Sequence, residues 1–182
     1  MKHWIKIARK INHLNKTLAL ISRWSVLIML GLGFWNVIGR YVGVAINKNL
    51  SSNLLIEGQW YLFSLIFLLG IGATLHYEKH VKIDVLQGKW SYKRKRKIEL
   101  LGSLFLLLPF AIGIMTVSIE PTIRSWIINE TSPDPNGLPR YLIKTLIPIG
   151  FLSLTLQAIS EVIQTISQLQ TIKNTSERKK ID

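Results

Sequence analysis

Residues 58–77 read GQWYLFSLIFLLGIGATLHY, a run free of Asp, Glu, Lys and Arg between Glu57 and Glu78. An α-helix rises 1.5 Å per residue, so about 20 residues cross a hydrocarbon core about 30 Å thick. This run meets that requirement by itself. Three others share its character. Residues 24–39 are uncharged, and apolar residues resume at 41–46 after Arg40. Residues 100–119 lie between Glu99 and Glu120, and residues 145–160 lie between Lys144 and Glu161. The expected fold is an all-α integral membrane protein with four transmembrane helices, at about 24–46, 58–77, 99–119 and 141–163. The whole chain, 1–182, reads as a single membrane domain.

Composition agrees. The chain has 182 residues, 48% of them hydrophobic, yet carries a formal charge of +13. A soluble domain disperses its charge, whereas here long neutral runs alternate with short basic clusters. A basic balance also suits nucleic acid. That partner is excluded because the cations flank apolar runs and do not line one face of a soluble fold. The chain has no cysteine, which removes disulfides, thiolate metal sites and cysteine nucleophiles.

The cations also orient the helices. Lys and Arg cluster before the first span, between the second and third, and after the fourth; only Arg40, Lys48, Arg124, Arg140 and Lys144 fall elsewhere. The positive-inside rule places both termini and the middle connection in the cytoplasm. No cleavable signal peptide is evident, and the first span reads as a retained anchor.

Ahead of that span, Trp4, Ile7, Ile11, Leu14, Leu18 and Ile21 recur at helical spacing. Lys2, Lys6, Arg9, His13 and Lys16 fill the remaining arc. Residues 4–21 therefore read as an amphipathic basic helix, suited either to anionic lipid headgroups at the cytoplasmic surface or to a protein neighbour. Between spans three and four, residues 132–139 (SPDPNGLP) predict a rigid succession of turns. Pro109 and Pro148 fall inside spans, where each removes a backbone donor and predicts a kink.

Catalysis and solute binding find few candidates. A carrier usually shows charge or broken helices at mid-bilayer, and these spans keep their charges near the ends. A charge at the bilayer centre costs about 2.5–3.5 kcal/mol on insertion scales. His76 and His80 are one turn apart, but a bis-histidine haem needs ligands from facing helices. The reading is no enzyme, no cofactor and no metal. Polar residues suited to another membrane protein are easier to find. Arg40 and Glu57 lie at the outer ends of adjacent spans, positioned to pair within the chain or with a partner. Gln157 lies inside span four, where an amide hydrogen-bonds across helices.

Three motifs in order give the chain a family likeness. They are Gly39-Arg40-Tyr41 with Glu57 beyond it, His80-Val81-Lys82-Ile83-Asp84, and Gly137-Leu138-Pro139-Arg140-Tyr141 followed by Lys144, Pro148-Ile149-Gly150-Phe151 and Gln157. Over about residues 24–166 the chain resembles the small membrane subunit (DctQ type) of tripartite ATP-independent periplasmic, or TRAP, transporters. The resemblance implies a bacterial inner-membrane protein that serves a large TRAP membrane subunit. That subunit carries the sodium and substrate sites and moves as an elevator, while a periplasmic solute-binding protein delivers an organic anion. It further implies that the small subunit widens the fixed scaffold, with Arg40, Glu57, His80, Asp84 and Lys144 as orienting or subunit-contact residues. Two other classes stand beside it. A self-contained four-helix transporter acting as a dimer would need an essential acid within a span. A redox-enzyme anchor would bind haem.

Overall fold

The computed structural model describes residues 2–48, 50–77 and 90–178. They form four long helices: α1, Lys2–Ala45; α2, Asn53–His76; α3, Tyr92–Ile127; and α4, Arg140–Arg178. Each contains a window long and apolar enough to cross a membrane. Successive helices alternate in direction. One end of the bundle carries the start of α1, the end of α2 and the far end of α4. The opposite end carries the connections at 46–52 and 128–139, and is called the loop end below.

α4 is the hub. It packs against α1, α2 and α3, and α1 and α2 also pack against each other. Its apolar window is 39% buried, against 6–17% for the other three helices, so most of the remaining surface is left to lipid or to other chains. Phe34, Phe63, Phe105, Leu106 and Val117 are all well exposed. Between helices in lipid the hydrophobic effect gives little drive, so small residues and polar contacts set the packing. α1 obeys this closely. Its covered stripe is Ala8, Asn12, Asn15, Ala19 and Ser22, continuing through Ser25 and Asn36 to Gly39 and Gly43.

That stripe refines one expectation. The amphipathic segment 4–21 runs without a break into the first span, as the first half of a 44-residue helix about 66 Å long. Nothing between Ile21 and Trp24 breaks a helix, and the small, polar stripe runs on across the junction. The stripe lies one residue on from the apolar Ile7, Ile11, Leu14, Leu18 and Ile21. It turns Trp4, Leu14 and Ile21 outward.

The loop end is closed by helix caps of one kind. Asn47 follows α1 with φ 51°, while the N–H of Lys48 donates to Gly43 O at 2.9 Å and that of Asn47 to Val44 O at 3.4 Å. Asn129 follows α3 with φ 48°, and the N–H groups of Glu130 and Asn129 donate to Ser125 O and Trp126 O. Both are Schellman caps with Asn in the left-handed position.

The prolines act as their chemistry requires. Before Pro109 the helix widens into a π-turn, Ser103–Leu107, in which the N–H of Leu108 reaches Ser103 O. The wider turn relieves the ring of Pro109, which in a regular helix presses on the carbonyl of residue 105. Pro148 leaves the carbonyl of Lys144 without its intrahelical donor, and the hydroxyl of Thr122 on α3, 2.7 Å from Ser118 O, is shared with that oxygen at 3.2 Å. A backbone group freed in one helix is thus served by its neighbour.

α2 and α4 approach closely at Gly150, where a Cβ would stand 2.7 Å from Leu68 O. Gly150→Ala is therefore expected to destabilise the protein by about 1–3 kcal/mol, as overpacking does. Gly113→Ala, whose Cβ would meet nothing within 4 Å, should be neutral or slightly stabilising. Thermal unfolding in detergent compares the two.

Candidate functional site

Two polar seams hold the bundle, one at each end, and they use different chemistry. At the loop end Glu57 sits near the start of α2 and is only 4% exposed. Its carboxylate accepts the hydroxyl of Ser132 and the backbone N–H of Leu138, with Arg140 adding positive charge nearby. The loop presents these donors because its own turns are fixed. Pro135 and Asn136 (φ 59°) occupy the centre of a turn closed by Gly137 N–H on Asp134 O at 3.0 Å, the pattern of a type II turn. Gly137 leaves room for the acid, since a Cβ there would fall 2.7 Å from Glu57 Oε2. Tyr61, one turn along α2, donates its hydroxyl to Pro139 O at 2.8 Å. α2 is thereby stapled to the connection between α3 and α4.

Glu130 makes the second contact of this seam. It accepts Lys144 Nζ from α4 and Ser125 Oγ from α3, the latter at 2.6 Å. The hydrogen bond from Lys144 and then that from Ser125 hold its carboxyl below the usual carboxylate range, against some opposition from burial. Trp126 Nε1 donates to Thr145 Oγ1 at 2.8 Å, and its ring lies 4.4 Å from that of Tyr141. The pair Glu120–Arg124 is almost fully exposed and contributes little.

The other seam is made of amides and hydroxyls. Gln157 of α4 is fully buried, as is Asn15 of α1. Asn15 Nδ2 donates to Gln157 Oε1 at 2.8 Å, and Gln157 Nε2 donates to Asn12 Oδ1 at 3.1 Å. Ser153 Oγ donates to Asn15 Oδ1 at 3.0 Å, and Ser160 Oγ lies 2.8 Å from Asn12 Oδ1. His76 Nδ1, at the end of α2, is 3.4 Å from Gln157 Nε2. Among the described residues no buried side-chain nitrogen or oxygen lacks a partner.

The residues singled out in the sequence separate accordingly. Glu57, Lys144 and Gln157 all hold the chain's own helices together. Arg40 does not pair with Glu57, which is engaged by the loop. It is instead exposed beside Lys48 in a shallow concavity of about 400 Å³ at the end of α1, and it has no acidic partner among the described residues. His80 and Asp84 lie outside the described residues. Sequence reasoning missed Glu130, Asn12 and Asn15. The two asparagines carried a signal, since they fall three apart in a segment, 4–21, that apart from Thr17 is otherwise apolar or basic. Among the described residues no group of three or more His, Asp or Glu side chains is placed to hold a metal.

Two outcomes test the loop-end seam. Glu57→Ala leaves the Ser132 and Leu138 donors unpaired, so residues 128–139 should become susceptible to limited proteolysis while α1 and α4 stay protected. The Glu130 contact should depend on pH. Its folded pKa lies below the unfolded value of about 4.3, so the stabilisation is fully present above that value and is lost as pH falls through the folded one. The difference in melting temperature between wild type and Glu130→Gln should therefore be largest at neutral pH and vanish in acid.

Residues 29–168 match the family of tripartite ATP-independent periplasmic transporters, DctQ component. No curated protein and no solved structure matches the chain. The match takes in both charged contacts of the loop end and Gln157, and it begins beyond Asn12 and Asn15. The match spans most of the chain, and all four membrane-crossing helices fall at least partly within it. The chain therefore belongs to the DctQ family: it is a small permease component of a TRAP transporter, a multi-pass inner-membrane protein that associates with a large membrane subunit and a periplasmic binding protein.

Proposed function

We propose that this chain is a fixed scaffold for the large, elevator-type subunit during sodium-coupled, binding-protein-dependent uptake of an organic anion. The observation that carries the reading is where its polar groups point. Glu57, Glu130, Lys144, Asn15 and Gln157 are all turned onto the chain's own helices. A bundle tied in this way at both ends suits a wall more than a moving carrier. Its long apolar flanks offer the area that a second membrane protein needs.

The basic clusters support a topology with both termini in the cytoplasm. The loop end, with its fixed turns, then faces the periplasm and the binding protein. The outward Lys and Arg of the first half of α1 suit anionic lipid headgroups. Arg40 is the best subunit contact among the residues at the loop end, because its charge is exposed and unclaimed within the described chain.

Reconstitution tests the reading. Liposomes holding this chain together with the large subunit should take up an organic anion when the binding protein and an inward sodium gradient are supplied. Liposomes holding this chain alone should not. Uptake by the chain alone would instead establish the self-contained dimer. Arg40→Glu should reduce co-purification of the large subunit by at least about tenfold, since like-charge juxtaposition across an interface costs several kcal/mol. Undiminished recovery and uptake would remove Arg40 from the interface.

A further inference from the structure

The helices do not end at one level. Where the uncharged run of α2 begins, a Cβ on Gly58 would lie 3.6 Å from Leu32 of α1, and one on Gly33 would lie 3.0 Å from Gln59. Farther on, Asn36 Oδ1 accepts the hydroxyl of Ser51 at 2.6 Å, just before α2 starts at Asn53. α1 nevertheless continues to Ala45, nine residues past Asn36, or about 14 Å. The connection folds back along this extension: a Cβ on Gly39 would lie 3.0 Å from Leu50 O, and one on Gly43 would meet Lys48 O. The last turns of α1 thus form a finger that rises past the start of α2 and past the Pro135 turn beside it.

Charge sets where water begins at this end. Glu57, Glu120, Arg124, Glu130, Arg140 and Lys144 all stand at the loop end of α2, α3 and α4. To bring the finger into hydrocarbon the bundle would have to sink by about 14 Å, nearly the half-thickness of the core. That would carry six ions toward mid-bilayer to cover a few apolar side chains, and an ion there costs at least as much as one such side chain gains. The finger therefore stands in water. At the other border the same register leaves Arg23 near Gly70 of α2, because its neighbour Ser22 packs there. Its side chain leans toward the start of α1 and snorkels to the headgroups.

What the finger presents there is apolar. Val37, Tyr41 and Val44 follow one another at helical spacing on one face, and Tyr41 and Val44 are 75% and 77% exposed. Arg40 and Lys48 stand beside them, exposed and without an acidic partner among the described residues. An apolar centre with a charged rim is the anatomy of a protein interface. Its occupant has to be permanent, since an apolar surface in water favours association at all times. Contacts that form and part are smaller and more polar than obligate ones, which sets the periplasmic binding protein aside. We propose that the finger is held by the large membrane subunit, through an apolar surface flanked by carboxylates that stands just beyond the bilayer at the loop end. The proposal rests on the association that family membership establishes and on Arg40 as a subunit contact. It adds that the contact lies in water, outside the hydrocarbon, with Tyr41 and Val44 at its centre and Lys48 beside Arg40.

The chain has no cysteine, so Val44→Cys gives it a single thiol, and Phe105→Cys gives a lipid-facing control within the uncharged run of α3. A maleimide attacks the thiolate, which forms in water and not in hydrocarbon. In nanodiscs holding the full-length chain alone, a membrane-impermeant maleimide should therefore label Val44→Cys at least about tenfold faster than Phe105→Cys. With the large subunit present, labelling of Val44→Cys should slow by about tenfold, as at the dry centre of an interface. Adding the binding protein should slow it no further. Lys48→Glu in the same background should lose most of this protection. Slow labelling of the chain alone puts the finger in hydrocarbon and overturns the proposal. Undiminished labelling in a recovered complex overturns it while leaving the association intact, and failure to recover any complex removes both. Protection that appears only with the binding protein, or that Lys48→Glu leaves unaltered, overturns it too. Should Val44→Cys fail to fold, Tyr41→Cys gives the same readout.

Discussion

Gln157 sits on the helix that touches all the others and is fully buried, so its amide must find partners within the protein. A polar group left unpaired in hydrocarbon costs several kcal/mol, so the position of this one side chain constrains what can surround it. Asn15 and Asn12 meet the requirement from α1, and His76 Nδ1 of α2 lies 3.4 Å from the same amide. Most of those partners stand in the stretch of α1 before Trp24. The need therefore draws α1 onward as a single helix along α4, where an amphipathic segment alone would have been free to lie in the headgroup layer. Ala8 lets the two backbones come close, and Ser160 Oγ donates to its carbonyl at 3.2 Å.

Depth sorts the chemistry. Within the uncharged stretch of α4 the cross-links are amides and hydroxyls, which need partners but carry no charge to desolvate. At the loop end, where water is near, they are carboxylates held by Lys144, Ser125, Ser132 and a backbone N–H. Moving a charge such as Glu57 to the position of Gln157 would add the insertion cost of an ion to the same number of hydrogen bonds. The freed carbonyl of Lys144 follows the same logic, because Pro148 creates a local demand and the neutral hydroxyl of Thr122 is shared between it and Ser118 O.

The four spans were legible because each rests on a local property, a run long enough to cross a bilayer with charges at its ends. The turn-rich loop was legible for the same reason, since Pro135, Asn136 and Gly137 each restrict their own backbone. Partner choice was not legible. Arg40 is close to Glu57 along the chain and looked a natural mate, yet the groups that take Glu57 come from Ser132 and Leu138, on a segment two helices further on. Hydropathy places helices at a depth but does not rotate them, and a rotation of 100° about α1 exchanges Ile11 for Asn12 at the packed face. The apolar stripe of 4–21 was read correctly as a stripe. What local pattern could not give was that, in lipid, the apolar stripe is the outside and the polar one beside it is the seam.

The two seams together bear on where motion can occur in a transporter containing this chain. Sliding α4 relative to α1 by one helical turn would break the Asn15–Gln157 and Ser160–Asn12 contacts at once, because all of these donors and acceptors ride on the same two rods. Tilting α2 away would at the same time strip Glu57 and Tyr61 from the 132–139 loop. Neither movement can be made in small steps, since each opens several polar contacts together. Among the described residues α3 packs chiefly against α4, and Lys144 and Glu130 close its loop end. On the scaffold reading, displacement of solute across the bilayer thus has to be accommodated by the large subunit, sliding against apolar flanks that carry no such directional contacts.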